Sequence, residues 1–255
     1  MSLIKIHDEL YIPDNFAEDH SYYADAEGTK AYTGITTVLG VIAKNALIQW
    51  SANEAVKYVK EAKIWQLVPD TPRMIMIGDK ELDTLLEDAR YAHRKKKEAA
   101  GETGTDLHAL AEGWIKMCIQ EFDGRSLSVC PAGLEKFRDW AQDENIRFVA
   151  SEKKLYSKTW FIAGTADFIF TKEDRFFIGD LKTQKKLWGR EPMLQCAGYA
   201  SMFEEMKEGE ISGYCVVRIS KDGSFEVKWS YDTIGDTKAF FAAVELYRCL
   251  KNWVV

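Results

Sequence analysis

The chain has 255 residues, 46% hydrophobic and 13% aromatic, with a formal net charge of −6. That is enough apolar material for one domain, or for a core with an elaborated N-terminal region. No run approaches the ~18 consecutive apolar residues of a membrane-spanning helix, and the acidic balance excludes polyanion binding through average charge, leaving only local basic tracks. Five cysteines, Cys118, Cys130, Cys196, Cys215 and Cys249, are scattered without a CxxC pair. The spacing argues against a disulfide framework and against a zinc or iron–sulfur site; buried, reduced thiols are expected. The opening MSLIKIHDEL lacks the basic-apolar-small layout of a signal peptide, so a soluble, cytoplasmic setting is expected.

In chain order, residues 1–35 are aromatic and turn-rich (Tyr11, Phe16, Tyr22, Tyr23, Tyr32, with Gly28 and Gly34) and suit a short hairpin. From Thr36 the pattern turns helical. ALIQWSANEAVKYVKEA sets Leu47, Trp50, Ala55 and Val59 along one face. A second helical stretch over about 72–100 is expected to end near Gly101 and Gly104. Residues 105–121 read as a helix, and 131–145 as another that starts on Pro131, a favoured first helical position. Three strands follow at 147–157, 159–170 and 175–183, rich in Phe, Ile, Val and Tyr. A helix near 191–206, strands at 211–219 and 225–230, and a helix near 236–251 close the chain. Helix, three strands, helix, strand predicts an α/β fold, a mixed central sheet flanked by helices, with 1–100 as a mainly helical elaboration on a 101–255 core. Two basic tracks stand out: Arg94 to Lys97, which reads equally well as a solvated helix face, and Lys182, Lys185, Lys186 and Arg190.

Carboxylates adjoin the second track. If 159–170 and 175–183 form an antiparallel hairpin with a four-residue polar loop, Thr171 faces Phe176, and the same register sets Asp167 opposite Asp180. Opposed residues have Cβ atoms ~5 Å apart, where like charges repel. A divalent cation reverses that sign, and magnesium prefers such oxygen ligands. Lys182, two residues after Asp180, shares its face and suits charge stabilisation on a phosphate or orientation of a water. By geometry alone a surface hairpin with an ordinary salt bridge is the slightly better reading. The neighbours shift the balance: both acids sit at the ends of apolar strands (AGTADFIF, FFIGDLKT), where an unpaired charge is costly. Gly179 beside Asp180 would admit a close backbone or ligand.

GTADFIF followed by IGDLKT resembles the GxxD…DxK signature of PD-(D/E)XK nucleases, in particular the RecB-like branch. That branch adds a histidine on an upstream helix and a QxxxY motif on the helix after the lysine strand. His108 in GTDLHALAEGW, and Gln195 and Tyr199 in QCAGYASMF, stand in those places, with Gly104 before the histidine. The resemblance covers roughly residues 101–219; TGITTVLGVI and WSANEAVKYV resemble N-terminal regions of phage-type members more weakly. It implies a restriction-endonuclease-like PD-(D/E)XK core. It also implies a metal held by His108, Asp167, Asp180 and the backbone carbonyl of Leu181, and water positioned or activated by Lys182. Gln195 and Tyr199, one helical turn apart, would line the site and steady Lys182 or a phosphate.

The implied activity is magnesium- or manganese-dependent hydrolysis of DNA phosphodiesters, chiefly as an exonuclease in recombination or repair. The alternatives are an endonuclease of the same superfamily or a catalytically silent DNA-binding or scaffold protein. Lys185, Lys186 and Arg190 are candidate DNA contacts. The cysteine spacing predicts no iron–sulfur cluster, and the lack of a GxxxxGK[ST] loop predicts no ATP site of its own. DNA, and a separate helicase or single-strand-annealing protein, are the expected partners; an oligomer stays compatible with the sequence. Each added residue has a plainer reading. A lone His108 usually packs, Glu112 reads as solvated, and Glu152 either reaches the metal or lies on the surface. Gln195 and Tyr199 can simply pack, while His7, His20 and His93 have no partner pattern.

Overall fold

The computed structural model describes residues 2–42, 45–62, 78–120, 132–184, 186–187, 189–220 and 222–252, with backbone alone for 45–47, 97–106 and 252. Two compact units emerge, residues 1–42 with 105–255, and residues 43–104. The aromatic N-terminal segment thus groups with the sheet-bearing unit, not with the helical stretch that follows it.

The smaller unit holds α2 (Asn45–Glu61) and the first part of α3 (Asp79–Cys118). Trp50 meets the His93 ring edge-on at 6.3 Å. The basic run is locally occupied: Lys95 lies 3.3 Å from Asp88, Lys96 pairs with Glu54, and the Arg94 guanidinium sits 4.8 Å over the Tyr91 ring. Residues 63–77 and the side chain of Lys97 lie outside the described residues. Instead of stopping near Gly101 and Gly104, α3 runs through both glycines into the stretch expected as a separate helix. Each glycine costs ~1 kcal/mol in a helix, a penalty that the Ala-, Leu-, Glu- and Lys-rich flanks outweigh.

In the larger unit, β4 (Arg147–Ser157), β5 (Ile162–Lys172) and β6 (Arg175–Lys182) form an antiparallel meander. The helix α5 (Glu191–Glu205) crosses over to β7 (Ile211–Ile219), parallel to β6, and β8 (Phe225–Ser230) returns antiparallel. A two-residue strand, β3 (Thr33–Gly34), adds in parallel beside Ile162 and Ala163 of β5. The sheet is therefore mixed. One face packs on α1 (Ile35–Leu39), α5 and α6 (Thr233–Asn252) through Ile35, Leu39, Ala197, Met202, Phe240 and Val244. The other packs on the end of α3 and on α4 (Ala132–Asp143) through Leu107, Ala111, Ile115, Leu134 and Phe137. A third cluster joins the hairpin of β1 (Leu3–His7) and β2 (Leu10–Pro13) to the sheet: Leu10, Ile12, Tyr22 and Tyr32 against Tyr156 and Ala163. Pro131 lies outside the described residues.

The β5–β6 turn has two residues, not four. Lys172 pairs with Arg175, and Glu173 and Asp174 both take positive φ, 51° and 56°, the backbone of a type I′ turn whose twist matches the strands. The register is the one expected, because taking one residue from each side of the loop adds the pair Lys172–Arg175 and leaves Thr171 opposite Phe176. What approaches Gly179 closely is the Phe168 ring across the ladder: a Cβ there would fall 2.0 Å from Phe168 Cε2. Since Phe168 is fully buried, Gly179→Ala is expected to destabilise the fold by about 1–3 kcal/mol through overpacking. An unchanged denaturation midpoint in urea would show that the ring yields freely.

Among the described residues, Cys196 and Cys215 are buried, Cys118 and Cys249 exposed, and all four are free; Cys130 lies outside them. No helix among the described residues is long and apolar enough to cross a membrane.

Candidate active site

Two strands beside β5 leave a gap between them. On the side away from β4, β6 covers Phe168–Lys172 and β3 covers Ile162 and Ala163. Asp167 lies in that gap, just beyond the last β5–β6 pair, Phe168 with Gly179. The strand is also irregular there. Ala166 and Ile169 both enter the cluster under α5, although strict alternation would put them on opposite faces. Opposite this point on β4, Glu152 takes φ 50°. The flat-ladder expectation, in which Asp167 and Asp180 project from one face as an ordinary opposed pair, therefore needs correction. Asp167 turns into the opening, where its Oδ2 accepts a 2.6 Å hydrogen bond from the Leu181 amide.

The helix α3 brings the histidine. Leu107, Ala111 and Ile115, at helical spacing, anchor its buried face. His108, next to that face, sets Nε2 3.3 Å from Asp167 Oδ2. Burial opposes the charged imidazole. The hydrogen bond to Asp167 and the negative charges of Asp167, Glu152 and Glu112 outweigh it and raise the His108 pKa.

Asp180 is 1% exposed. Lys182 Nζ lies 2.7 Å from each of its oxygens and donates to Oδ1, while Oδ2 is buried without a hydrogen bond of good geometry. Burial pushes the Asp180 carboxyl up to about 7; Lys182 opposes the shift and Asp167 adds to it. Lys182 is held above its ordinary value, the Asp180 and Asp167 charges overcoming its own desolvation.

On α5, Gln195 Nε2 donates to the Tyr199 hydroxyl at 2.9 Å. Tyr199 is buried, and desolvation with the nearby Asp167 and Asp180 charges raises its pKa well above the usual range. Gly164 makes room for the tyrosine, since a Cβ there would fall 2.7 Å from Tyr199 Cε1. The pair thus borders both acids. Its described hydrogen bond is internal, and Lys182 is held by Asp180 instead. At Leu181 the group engaged is the amide.

Glu152 and Glu112 lie closer than the sequence suggested. One ligand atom each from His108, Glu112 and Glu152 lie within 4.8 Å of one another. Glu112 is half-buried and bonded to Lys116 at 2.6 Å. Burial, then the Asp167 and Glu112 charges, push the Glu152 carboxyl up to about 7. The helical spacing of His108 and Glu112 was visible in the sequence; the backbone irregularity that turns Glu152 toward them was not. Of the candidate DNA contacts, Arg190 is committed to buried Asp236 at 2.6 Å, Lys186 is exposed and already engaged, and Lys185 lies outside the described residues.

The donor set suits a hard divalent cation: the Asp167 and Asp180 carboxylates and the His108 imidazole.

No family model matches the chain, and no curated protein matches it. Among solved structures, the crystal structure of SSO0001 is similar at 16% identity with a TM-score of 0.27, over 45% of this chain and 56% of that one.

Proposed function

We propose that the protein is a magnesium- or manganese-dependent DNA nuclease with a PD-(D/E)XK core, acting chiefly as an exonuclease. The observation that carries this reading is the convergence of three groups on one buried point: the Asp180 carboxylate, 1% exposed and paired with Lys182, and Asp167 with His108 3.3 Å away. The order of elements supports it, as do the four motifs GxxD, DxK, the helical histidine and QxxxY in the sequence.

Asp167, Asp180 and His108 would hold the ion, which supplies Lewis acidity toward the phosphodiester. The remaining work falls to the chain's own groups. Leu181 N–H fixes the Asp167 carboxylate. Lys182, a cation in a largely dry position, meets negative charge on the phosphoryl oxygens and holds the attacking water in line. Water adds to phosphorus as the P–O bond to the leaving sugar oxygen breaks, and the proton that the water loses is matched by one that the released oxygen takes up from solvent. Gln195 and Tyr199 wall the α5 side.

A cleavage assay on circular and linear duplexes in magnesium tests this directly. Loss of the linear form alone is expected. Nicking or linearisation of the circle would replace exonuclease with endonuclease. Binding without cutting in any divalent ion would favour the silent DNA-binding alternative. Calcium, with a larger and looser shell, is expected to support binding and little cutting.

A further inference from the structure

Two covers meet on the sheet face opposite α5. Tyr156 and Ala163 lie under the N-terminal aromatic cluster, and Phe168 and Phe170 lie under α3 and α4. Between them run Glu152 and Lys154 of β4 and Thr165 and Asp167 of β5, all half-buried. Lys154 pairs across the ladder with Thr165, and Thr165 Oγ1 lies 2.8 Å from the Tyr22 hydroxyl. This bond ties the N-terminal segment to the floor of the strip, two residues or roughly 6–7 Å of strand from Asp167.

Lys154 is the unusual member. Its Nζ sits 4.9 Å over the Phe16 ring, which is braced edge-on by Tyr22 at 5.2 Å. Among the described residues no carboxylate lies within ion-pair distance of it: Glu152 and Glu112 act on it only from farther away, and Lys116 repels it. Lys116 is itself bonded to Glu112, and Arg190 is bonded to Asp236. An ammonium held half-buried against a ring, beside a reacting centre, has its attraction supplied by a quadrupole rather than a counter-charge. Among the described residues, no ion pair must break before it meets an anion.

We propose that Lys154, presented by Phe16, binds the phosphate adjacent to the scissile one in a DNA strand lying along this strip; the step rests on the nuclease reading above. Phe16 is then a positioning residue, and the N-terminal segment belongs to the substrate-binding apparatus.

The test uses the full chain, a fluorescein-labelled single-stranded oligodeoxynucleotide of about 20 nucleotides, and calcium in place of magnesium. Binding is read by anisotropy over a range of potassium chloride. Lys154→Gln is expected to weaken binding about three- to tenfold. It should also flatten the slope of log K against log salt by about 0.7, the share of one phosphate on a single strand. Lys154→Arg should keep the wild-type slope. Phe16→Leu leaves every charge in place and should cost a smaller factor. Thermal melts check folding; should Lys154→Gln fail to fold, Lys154→Met keeps the packing of the stem and carries the same readout. A wild-type slope and affinity in the folded charge-removed variant would overturn the proposal while leaving the nuclease reading intact. A wild-type protein that neither binds nor cuts DNA would overturn that reading, and this one with it.

Discussion

Asp180→Asn is expected to lower magnesium-dependent cleavage by about 10²–10³-fold, the scale of losing a preorganised group at a reacting centre. The substitution keeps the shape of the side chain and removes its charge. It therefore separates metal holding from packing at a residue that is 1% exposed. The absolute stability of this variant is a poor guide, because two effects oppose one another. A desolvated carboxylate is gone, but Lys182 loses the counter-charge 2.7 Å away. The discriminating quantity is the rise in melting temperature on adding magnesium. A cation at 100 times its Kd stabilises the wild type by ~2.7 kcal/mol; most of that gain should vanish in the variant. Retained activity and a retained magnesium shift would remove Asp180 from the site.

The same cluster gives the metal-free wild type a definite pH dependence. Asp180 and Glu152 both titrate at about 7 in the fold, above ~3.9 and ~4.3 in an unfolded chain. A carboxyl whose pKa is raised by folding contributes its full stability below the unfolded value and loses it as pH rises through the folded value. The raised His108 acts in the same direction. In chelator, the melting temperature should therefore fall from about pH 4 to about pH 7 as these carboxyls ionise, with His108 adding to the fall above about pH 6.5, and magnesium should reduce the fall. A flat profile in chelator would contradict the electrostatics of the cluster.

Lys182→Met is expected to cut the rate by about 10²–10³-fold by a different route. The methionine fills similar volume, so the site stays packed, but no ammonium remains to meet the phosphoryl charge or hold the water. Asp180 is then a buried carboxylate without a partner, a situation that costs ~3–5 kcal/mol when the charge must persist. The carboxyl takes up a proton instead wherever pH allows. Magnesium restores a counter-charge, so its stabilising effect should be kept or enlarged. The two variants thus part company: both lose cleavage, and only Asp180→Asn loses the metal effect. Full activity in Lys182→Met would remove the lysine from the mechanism.

Much of this was readable from local rules. The β5–β6 register followed from two apolar strands and a polar loop, and it survived a wrong loop length because pairs were added symmetrically about the turn. Lys182 stood two residues from Asp180 and ends on it. His108 was legible as a helical residue one position beyond an apolar stripe, and Gln195 and Tyr199 as one turn of α5. What escaped depended on contacts distant in sequence. The two-residue β3 is too short to carry a pattern, yet with β6 it bounds the gap that holds Asp167. The irregularity that puts Ala166 and Ile169 on one face and turns Glu152 at φ 50° breaks the period-2 rule, which has no term for it. Gly101 and Gly104 read as stops but lie inside α3. By composition the cluster with Arg190 read as a DNA track and the Arg94–Lys97 run equally well as a solvated face; Lys95, Lys96 and Arg190 have local acids. Lys154 drew no notice, because its ring partner lies 138 positions away.

The most direct measurement of the central claim is cleavage of end-labelled single- and double-stranded DNA by the wild-type protein, with magnesium, with manganese and with excess chelator. Products that appear with either metal and disappear with chelator are predicted. Cutting undiminished by chelator, or none with any divalent ion, would contradict the assignment of Asp167, Asp180 and His108 as the holders of a catalytic cation.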